Sequence, residues 1–149
     1  MDNIVLSEDM RANVTDFGLV RDCTNGKASH ARKVVGTFGY IAPEYAVSFQ
    51  VTTKIDVFSF GVILMELMMG RKAIQQDGED RVHLAQWFQQ MLKSEGILMI
   101  AIDLTLDLDI EGLEIMNIVV QLAVCCCVRN PNLRPDMSHA VVVLSSQVE

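Results

Sequence analysis

Residues 53 to 69 constrain the fold more than any other stretch. Val57, Phe58, Phe60, Val62, Ile63, Leu64, Leu67 and Met68 cover nearly every face of a helix. A helix that is apolar all round is a buried helix, so other elements must surround it and it becomes the central pillar of its domain. Thr53 with Asp56 three residues later fits the acidic variant of a capping box. Gly70 supplies a C-cap glycine, so the spacing predicts a helix from about Thr53 to Met69.

The elements around that pillar also read mostly as helices. Val82, Leu84, Trp87, Phe88 and Met91, with Leu92 nearby, fit an amphipathic surface helix. Glu111 to Val128 predicts a third, with Leu113, Met116, Val120 and Val124 among its core positions and Asn130-Pro131-Asn132 breaking it. Pro135-Asp136-Met137 opens the last helix, which runs to about Gln147. Ile4–Leu6 and Ala12–Thr15 are β-prone and predict a small hairpin leading into Asp16. Residues 19 to 35, with the turn signal Thr24-Asn25-Gly26, read as a loop. Gln75 to Asp80 reads as a polar loop, and 95 to 110 as a loop with short helical turns. The expected class is mainly α, with a short N-terminal β-hairpin, in one domain over residues 1–149.

Bulk properties exclude several functions. Half of the residues are hydrophobic, which argues against disorder. The net charge is −7, from 12 basic and 19 acidic residues. No basic cluster stands out, so nothing favours a nucleic-acid partner. Cys125, Cys126 and Cys127 are consecutive and Cys23 stands apart, which gives neither a spaced disulfide framework nor a zinc pair. Reduced thiols on a helix, the buried ones acting as small hydrophobes, fit best. The apolar runs Val57–Met65 and Ile115–Val128 fall short of a membrane span. Met1 to Leu6 lacks the basic and apolar regions of a signal peptide. No membrane insertion by this segment is expected.

The chemistry sits in two motifs and the spacing between them. Asp16-Phe17-Gly18 is followed by Gly36-Thr37-Phe38-Gly39-Tyr40-Ile41-Ala42-Pro43-Glu44-Tyr45. D-F-G alone is a weak signal; D-F-G followed by A-P-E across a loop is a strong one, and both belong to the protein-kinase signature set. With Val51 to Val62, Met65-Glu66-Leu67, Gly70 to Ala73, Arg134-Pro135-Asp136-Met137 and His139-Ala140-Val141, the chain resembles the C-terminal lobe of the plant receptor-like serine/threonine kinases. The leucine-rich-repeat transmembrane-kinase subgroup is the nearest likeness, and it covers essentially all 149 residues.

That resemblance implies roles position by position. Asp16 matches the aspartate that holds Mg²⁺ against the ATP phosphates, and a carboxylate suits so hard a cation. Asn3, in Asn3-Ile4-Val5-Leu6, matches the asparagine that takes a second Mg²⁺. Thr37, Gly39 and Tyr40 fall in the substrate-docking segment. Glu44 and Arg134 match the two ends of a buried ion pair. Asp56 matches the aspartate that braces the catalytic loop. Thr24, Ser29 and Thr37 are candidate phosphorylation sites, where new phosphate can order a loop by pairing with Arg. Taken singly, Asp16 fits a turn carboxylate, Thr37 a surface hydroxyl, Asp56 a capping acid, and Glu44 and Arg134 unrelated surface charges; together, in order and at family spacing, Asp16, Glu44, Asp56 and Arg134 fit the kinase roles better.

The departures are as informative. The sequence has no G-x-G-x-x-G lid, no V-A-I-K lysine and no H-R-D, so the base that accepts the substrate proton is missing and no catalytic set is complete. Phe58 stands where many kinases carry Trp or Tyr. The resemblance therefore implies a lobe without its N-lobe partner. Its parent would use ATP and Mg²⁺ on the cytoplasmic side of the plasma membrane and act on protein substrates or partner kinases. The chain alone is expected to be soluble, cytoplasmic and inactive, and to bind neither ATP nor Mg²⁺ tightly. The alternatives are a non-catalytic kinase-like interaction module and a product that does not fold stably.

Overall fold

The computed structural model describes residues 3–16, 29–30, 34–77, 80–92 and 105–147. In chain order its elements are strands β1 (Ile4–Leu6), β2 (Ala12–Val14) and β3 (Ser29–His30), helix α1 (Pro43–Ser48), strand β4 (Gln50–Val51), helix α2 (Thr53–Met69), strands β5 (Ile74–Asp77) and β6 (Asp80–His83), and helices α3 (Leu84–Leu92), α4 (Ile110–Cys126) and α5 (Met137–Ser145). A 3₁₀ turn, Pro131–Leu133, separates the last two helices. The strands form three separate antiparallel pairs, β1–β2, β3–β4 and β5–β6. The body is helical and the strand pairs decorate it.

Helix α2 is the pillar its composition predicts. Val57, Phe58, Val62, Leu64, Met65, Met68 and Met69 are buried, and they share one core with Leu84 and Phe88 of α3 and with Val120, Leu122, Ala123 and Cys126 of α4. Gly70, at φ 61°, ends the helix. Two details differ from expectation. Leu67 is exposed, so one face of α2 reaches solvent. The capping box does not form: Thr52, not Thr53, is the N-cap, and no side chain caps the helix. The helix itself starts at Thr53 as expected, which leaves Asp56 in the first turn, where a carboxylate complements the helix dipole.

The tightest seam in the body joins α2 to α4. A Cβ built on Gly61 would lie 2.6 Å from Cys127 Sγ, 2.7 Å from Cys126 Cβ and 3.0 Å from the Ala123 carbonyl. The consecutive cysteines explain themselves here. Cys126 and Cys127 are buried and Cys125 is exposed. The Cys127 thiol donates to the Phe58 carbonyl at 3.6 Å. Burial pushes the Cys127 thiol up to about 12 and Cys126 to about 11, with the neighbouring thiols adding and Arg134 opposing. Both therefore serve as neutral packing groups. Gly61→Ala should lower stability by about 2 kcal/mol: contacts this close put the overpacking cost at the top of its usual range of roughly 1–3 kcal/mol, and the gain in helix propensity returns about 1. Chemical denaturation measures it, and a variant as stable as the parent would show that the seam can open freely.

Other elements differ from the sequence reading. Gln75–Asp77 and Asp80, within the expected loop, are strand residues, with Ile74 opposite His83 and Asp77 opposite Asp80; Gly78 and Glu79 lie outside the described residues. Val82 accordingly lies in β6, and the amphipathic helix begins at Leu84. Ser29 and His30, within the expected loop, pair with Gln50 and Val51. Pro43 opens a short helix, α1, as proline does well at a first helical position. Helix α4 begins at Ile110 with Asp109 as its cap, accepting from the Gly112 amide at 2.8 Å. Helix α5 is shorter than expected, Met137–Ser145, because Asp136 is its N-cap. Phe17, Gly18, Cys23, Thr24 and residues 95–104 lie outside the described residues.

Candidate functional site

The β1–β2 register assembles the first part of the site. Ile4 pairs with Val14, and the Thr15 amide donates to the Asn3 carbonyl at 2.8 Å. Asn3 and Asp16 thus meet at the open end of the hairpin, where Asn3 Nδ2 lies 3.4 Å from Asp16 Oδ2. Asp16 has φ 61°, a left-handed conformation that few residue types other than Gly, Asn and Asp adopt readily. A carboxylate and a carboxamide side by side and exposed are a hard-oxygen donor set, which fits Mg²⁺, an ion commonly held by one or two protein groups with phosphate and water completing its shell. Among the described residues no group of three or more His, Cys, Asp or Glu is placed to hold a metal ion.

Segment 36–45 is fastened to the helical body along its length. Gly39 is buried at φ 102°, and a Cβ there would lie 2.9 Å from Ile74 Cγ1 and 3.0 Å from Ala73 Cβ. Only glycine suits both the backbone and the space. The Tyr40 hydroxyl donates to Glu66 Oε2 at 2.6 Å, and the Ala73 amide donates to Glu66 Oε1 at 2.7 Å. Ser59 Oγ donates to the Tyr40 carbonyl at 2.8 Å. Tyr45 is buried, and its hydroxyl accepts from the Val35 amide at 3.3 Å. Thr37 is exposed, and its carbonyl accepts from the Tyr40 amide at 3.1 Å.

Glu44 and Arg134, 90 residues apart, meet. Arg134 Nη1 and Nη2 donate to the two Glu44 carboxylate oxygens at 2.6 and 2.7 Å. The Arg134 side chain is 0% exposed and that of Glu44 23%. Arg134 also donates to the carbonyls of Val128 at 2.9 Å and Lys54 at 2.8 Å, and its guanidinium sits 5.0 Å from the centre of the Phe58 ring. Phenylalanine at 58 thus still offers a cation a ring face. Lys54 answers from the other side, donating to the carbonyls of Arg134 at 2.9 Å and Pro135 at 3.2 Å and pairing with Asp136. That pairing pulls the Asp136 carboxyl down.

Asp56 does not join these groups. It is exposed by surface area, yet the protein around it pushes its carboxyl up by desolvation. Among the described residues no donor reaches it, and the H-R-D part of the catalytic loop that resemblance has it brace is not in this sequence. Of the candidate phosphorylation sites, Thr37 is exposed, Ser29 is described only as backbone, and Thr24 lies outside the described residues.

Comparison with known proteins decides what these parts belong to. The protein kinase domain family matches residues 1–143. The chain belongs to the protein kinase family.

Several of its relatives are receptor-like kinases. Receptor-like kinase TMK2 of Arabidopsis thaliana is 53% identical over 147 residues, which is 98% of this chain and 17% of the relative. Receptor-like kinase TMK4 of the same plant is 49% identical over 99% of the chain and 16% of the relative. A probable LRR receptor-like serine/threonine-protein kinase, At1g29720 of Arabidopsis thaliana, is 38% identical over 99% of the chain and 14% of the relative. The chain therefore spans about a sixth of the length of the curated relatives it matches. Within the kinase fold its helices and N-terminal hairpin are those of the C-terminal lobe. No helix among the described residues is long and apolar enough to cross a membrane.

In this kinase chain the sequence reading gave no role to Glu66. The signal was present, since a single carboxylate inside an otherwise apolar and buried helix has to find donors. Lys54 was missed for the opposite reason: nothing in its neighbours distinguishes it from a solvated lysine.

Proposed function

We propose that residues 1–149 form the substrate- and metal-facing part of a receptor-like serine/threonine kinase catalytic domain. Phosphoryl transfer from ATP to serine or threonine is then an activity of the complete domain, on the cytoplasmic side of a membrane. The observation that carries this reading is the fastening of segment 36–45 to one helix. Glu66 and Ser59 of α2 hold Tyr40, and Arg134, itself bonded to the Lys54 carbonyl of α2, holds Glu44. Because phosphoryl transfer rests on positioning and electrostatics, a rigidly held segment is what a docking surface requires. Thr37, Gly39 and Tyr40 form that surface, with Glu44 and Arg134 as its framework, and Asp56 would brace the catalytic loop.

Asp16 and Asn3 would hold Mg²⁺, which when bound neutralises charge on the phosphate groups. The groups that would hold the nucleotide and accept the substrate proton, a glycine-rich lid, a lysine and the H-R-D aspartate, are not in this sequence. The 149-residue chain is therefore expected to incorporate no label from radiolabelled ATP into a generic basic protein. Calorimetry should find ATP–Mg²⁺ binding weaker than micromolar. Labelling that persists through purification and disappears in Asp16→Ala would overturn this reading. The second reading, a non-catalytic interaction module, is favoured by one feature: Glu66, Ser59 and Arg134 fasten the docking segment without any group of a nucleotide-binding lobe.

A further inference from the structure

We propose that copies of this chain associate through unlike surfaces, the acidic start of α4 on one copy lying on a basic corner of a second. Arg71, Lys72 and Trp87 form that corner, where the chain leaves α2 and returns in α3. The contact needs neither nucleotide nor substrate.

Charge is sorted along the chain. The net charge is −7, yet residues 67–76 and 81–92 contain no acid. The acids between them belong to the hairpin tip, where Asp77 pairs with Asp80, four residues and about 14 Å along the strand from Ala73. Arg71 and Lys72 are exposed and follow directly on Gly70. The Leu84 amide donates to the Ala73 carbonyl at 2.9 Å, which sets the start of α3 beside them. The Arg71 guanidinium lies 4.8 Å from the centre of the half-exposed Trp87 ring, a cation–π contact that holds the charge in place. No acid occupies the first turn of α3, so nothing there offsets these cations.

The complement lies on the same chain. Asp107, Glu111 and Glu114 are exposed at the start of α4, with Leu106 and Ile110 exposed among them. Ile110 is 80% exposed. Among the described residues the ion pairs are Lys54–Asp136 and Arg134–Glu44, so both surfaces keep their charges unpaired. A carboxylate can take a guanidinium two-pronged, a second can take Lys72, and Ile110 can cover the open part of the Trp87 ring. Like surfaces repel, so each contact joins one surface of each kind. An acidic segment of another protein would meet the same corner. The second copy is its occupant here because this chain itself carries the complement, with apolar residues set among the acids. The patches are small, so the association belongs to the weak, transient class, and salt should dissolve it.

The test follows the 149-residue chain by sedimentation velocity over a concentration series. At low ionic strength the mean sedimentation coefficient should rise with concentration. At about 1 M salt, where charges are screened within about 3 Å, it should stay flat. Arg71→Gln/Lys72→Gln and Asp107→Asn/Glu114→Gln, each made separately, should weaken the association about tenfold, the scale of two exposed ion pairs. All four residues are exposed, so both variants should melt like the parent. An equimolar mixture of the two retains one intact surface of each kind and should recover association as dimers. A parent chain that stays monomeric at low salt would overturn the proposal. So would association that survives in either variant, or a mixture no more associated than its components.

Discussion

Arg134→Ala is expected to lose about 3–5 kcal/mol of stability, the usual cost of leaving one partner of a buried ion pair uncompensated. A domain this size typically has only about 5–15 kcal/mol in total, so the variant should melt early or not fold. The magnitude follows from what Arg134 holds. Its side chain is 0% exposed, and it satisfies both oxygens of Glu44 together with the carbonyls of Val128 and Lys54. Removing it strands acceptors on α1, on α2 and in the turn after α4 at once. Arg134→Lys should recover only part of the loss, because an ammonium cannot reproduce the planar two-pronged contact. A double-mutant cycle with Glu44→Gln separates the pair from the carbonyl contacts. Truncating an exposed pair costs under ~1 kcal/mol, so an Arg134→Ala chain that denatures like the parent would contradict the closure of segment 36–45 onto the body.

Glu66→Ala should be the second most damaging change. It leaves the buried Ala73 amide and the Tyr40 hydroxyl without their acceptor. Each stranded buried donor costs about 1–3 kcal/mol. The Tyr40 ring is only half-buried, so its hydroxyl can recover water and belongs at the low end of that range. Glu66→Gln sharpens the test. Its one carbonyl oxygen can accept from either donor but not both, while its amide turns a donor toward the other, so its loss should fall between parent and alanine. Denaturant melts give the ranking. Equal stabilities for all three chains would mean that docking segment and hairpin base are not coupled through this carboxylate.

How much of this could be read in advance depended on whether the signal was local. Helix α2 was legible because an all-round apolar face admits only burial, and α3 because Leu84 and Phe88 repeat at helical spacing. The Glu44–Arg134 contact was reached only through resemblance, since nothing in either residue's neighbourhood points across 90 positions. The β5–β6 hairpin was illegible for a physical reason. Gln75, Gln76 and Asp77 carry little strand propensity, and the strand is settled by tertiary contact, with Ile74 packed on Gly39. The capping box at Thr53 failed because a three-residue spacing fixes a helix start only loosely. In the candidate metal site, Asp16 was reached through the D-F-G motif, whereas its proximity to Asn3 depended on the register of a hairpin with only three residues in each strand.

The central claim is that this chain supplies the metal-holding and substrate-docking part of a kinase domain and needs a nucleotide-binding part to act. The most direct measurement replaces the matching segment of Receptor-like kinase TMK2, 53% identical over 147 residues, with this chain and follows phosphoryl transfer from radiolabelled ATP. The chimera should label protein substrate, the chain alone should not, and Asp16→Ala in the chimera should return labelling to background. A folded chimera that transfers nothing, or one that remains active without Asp16, would contradict the account.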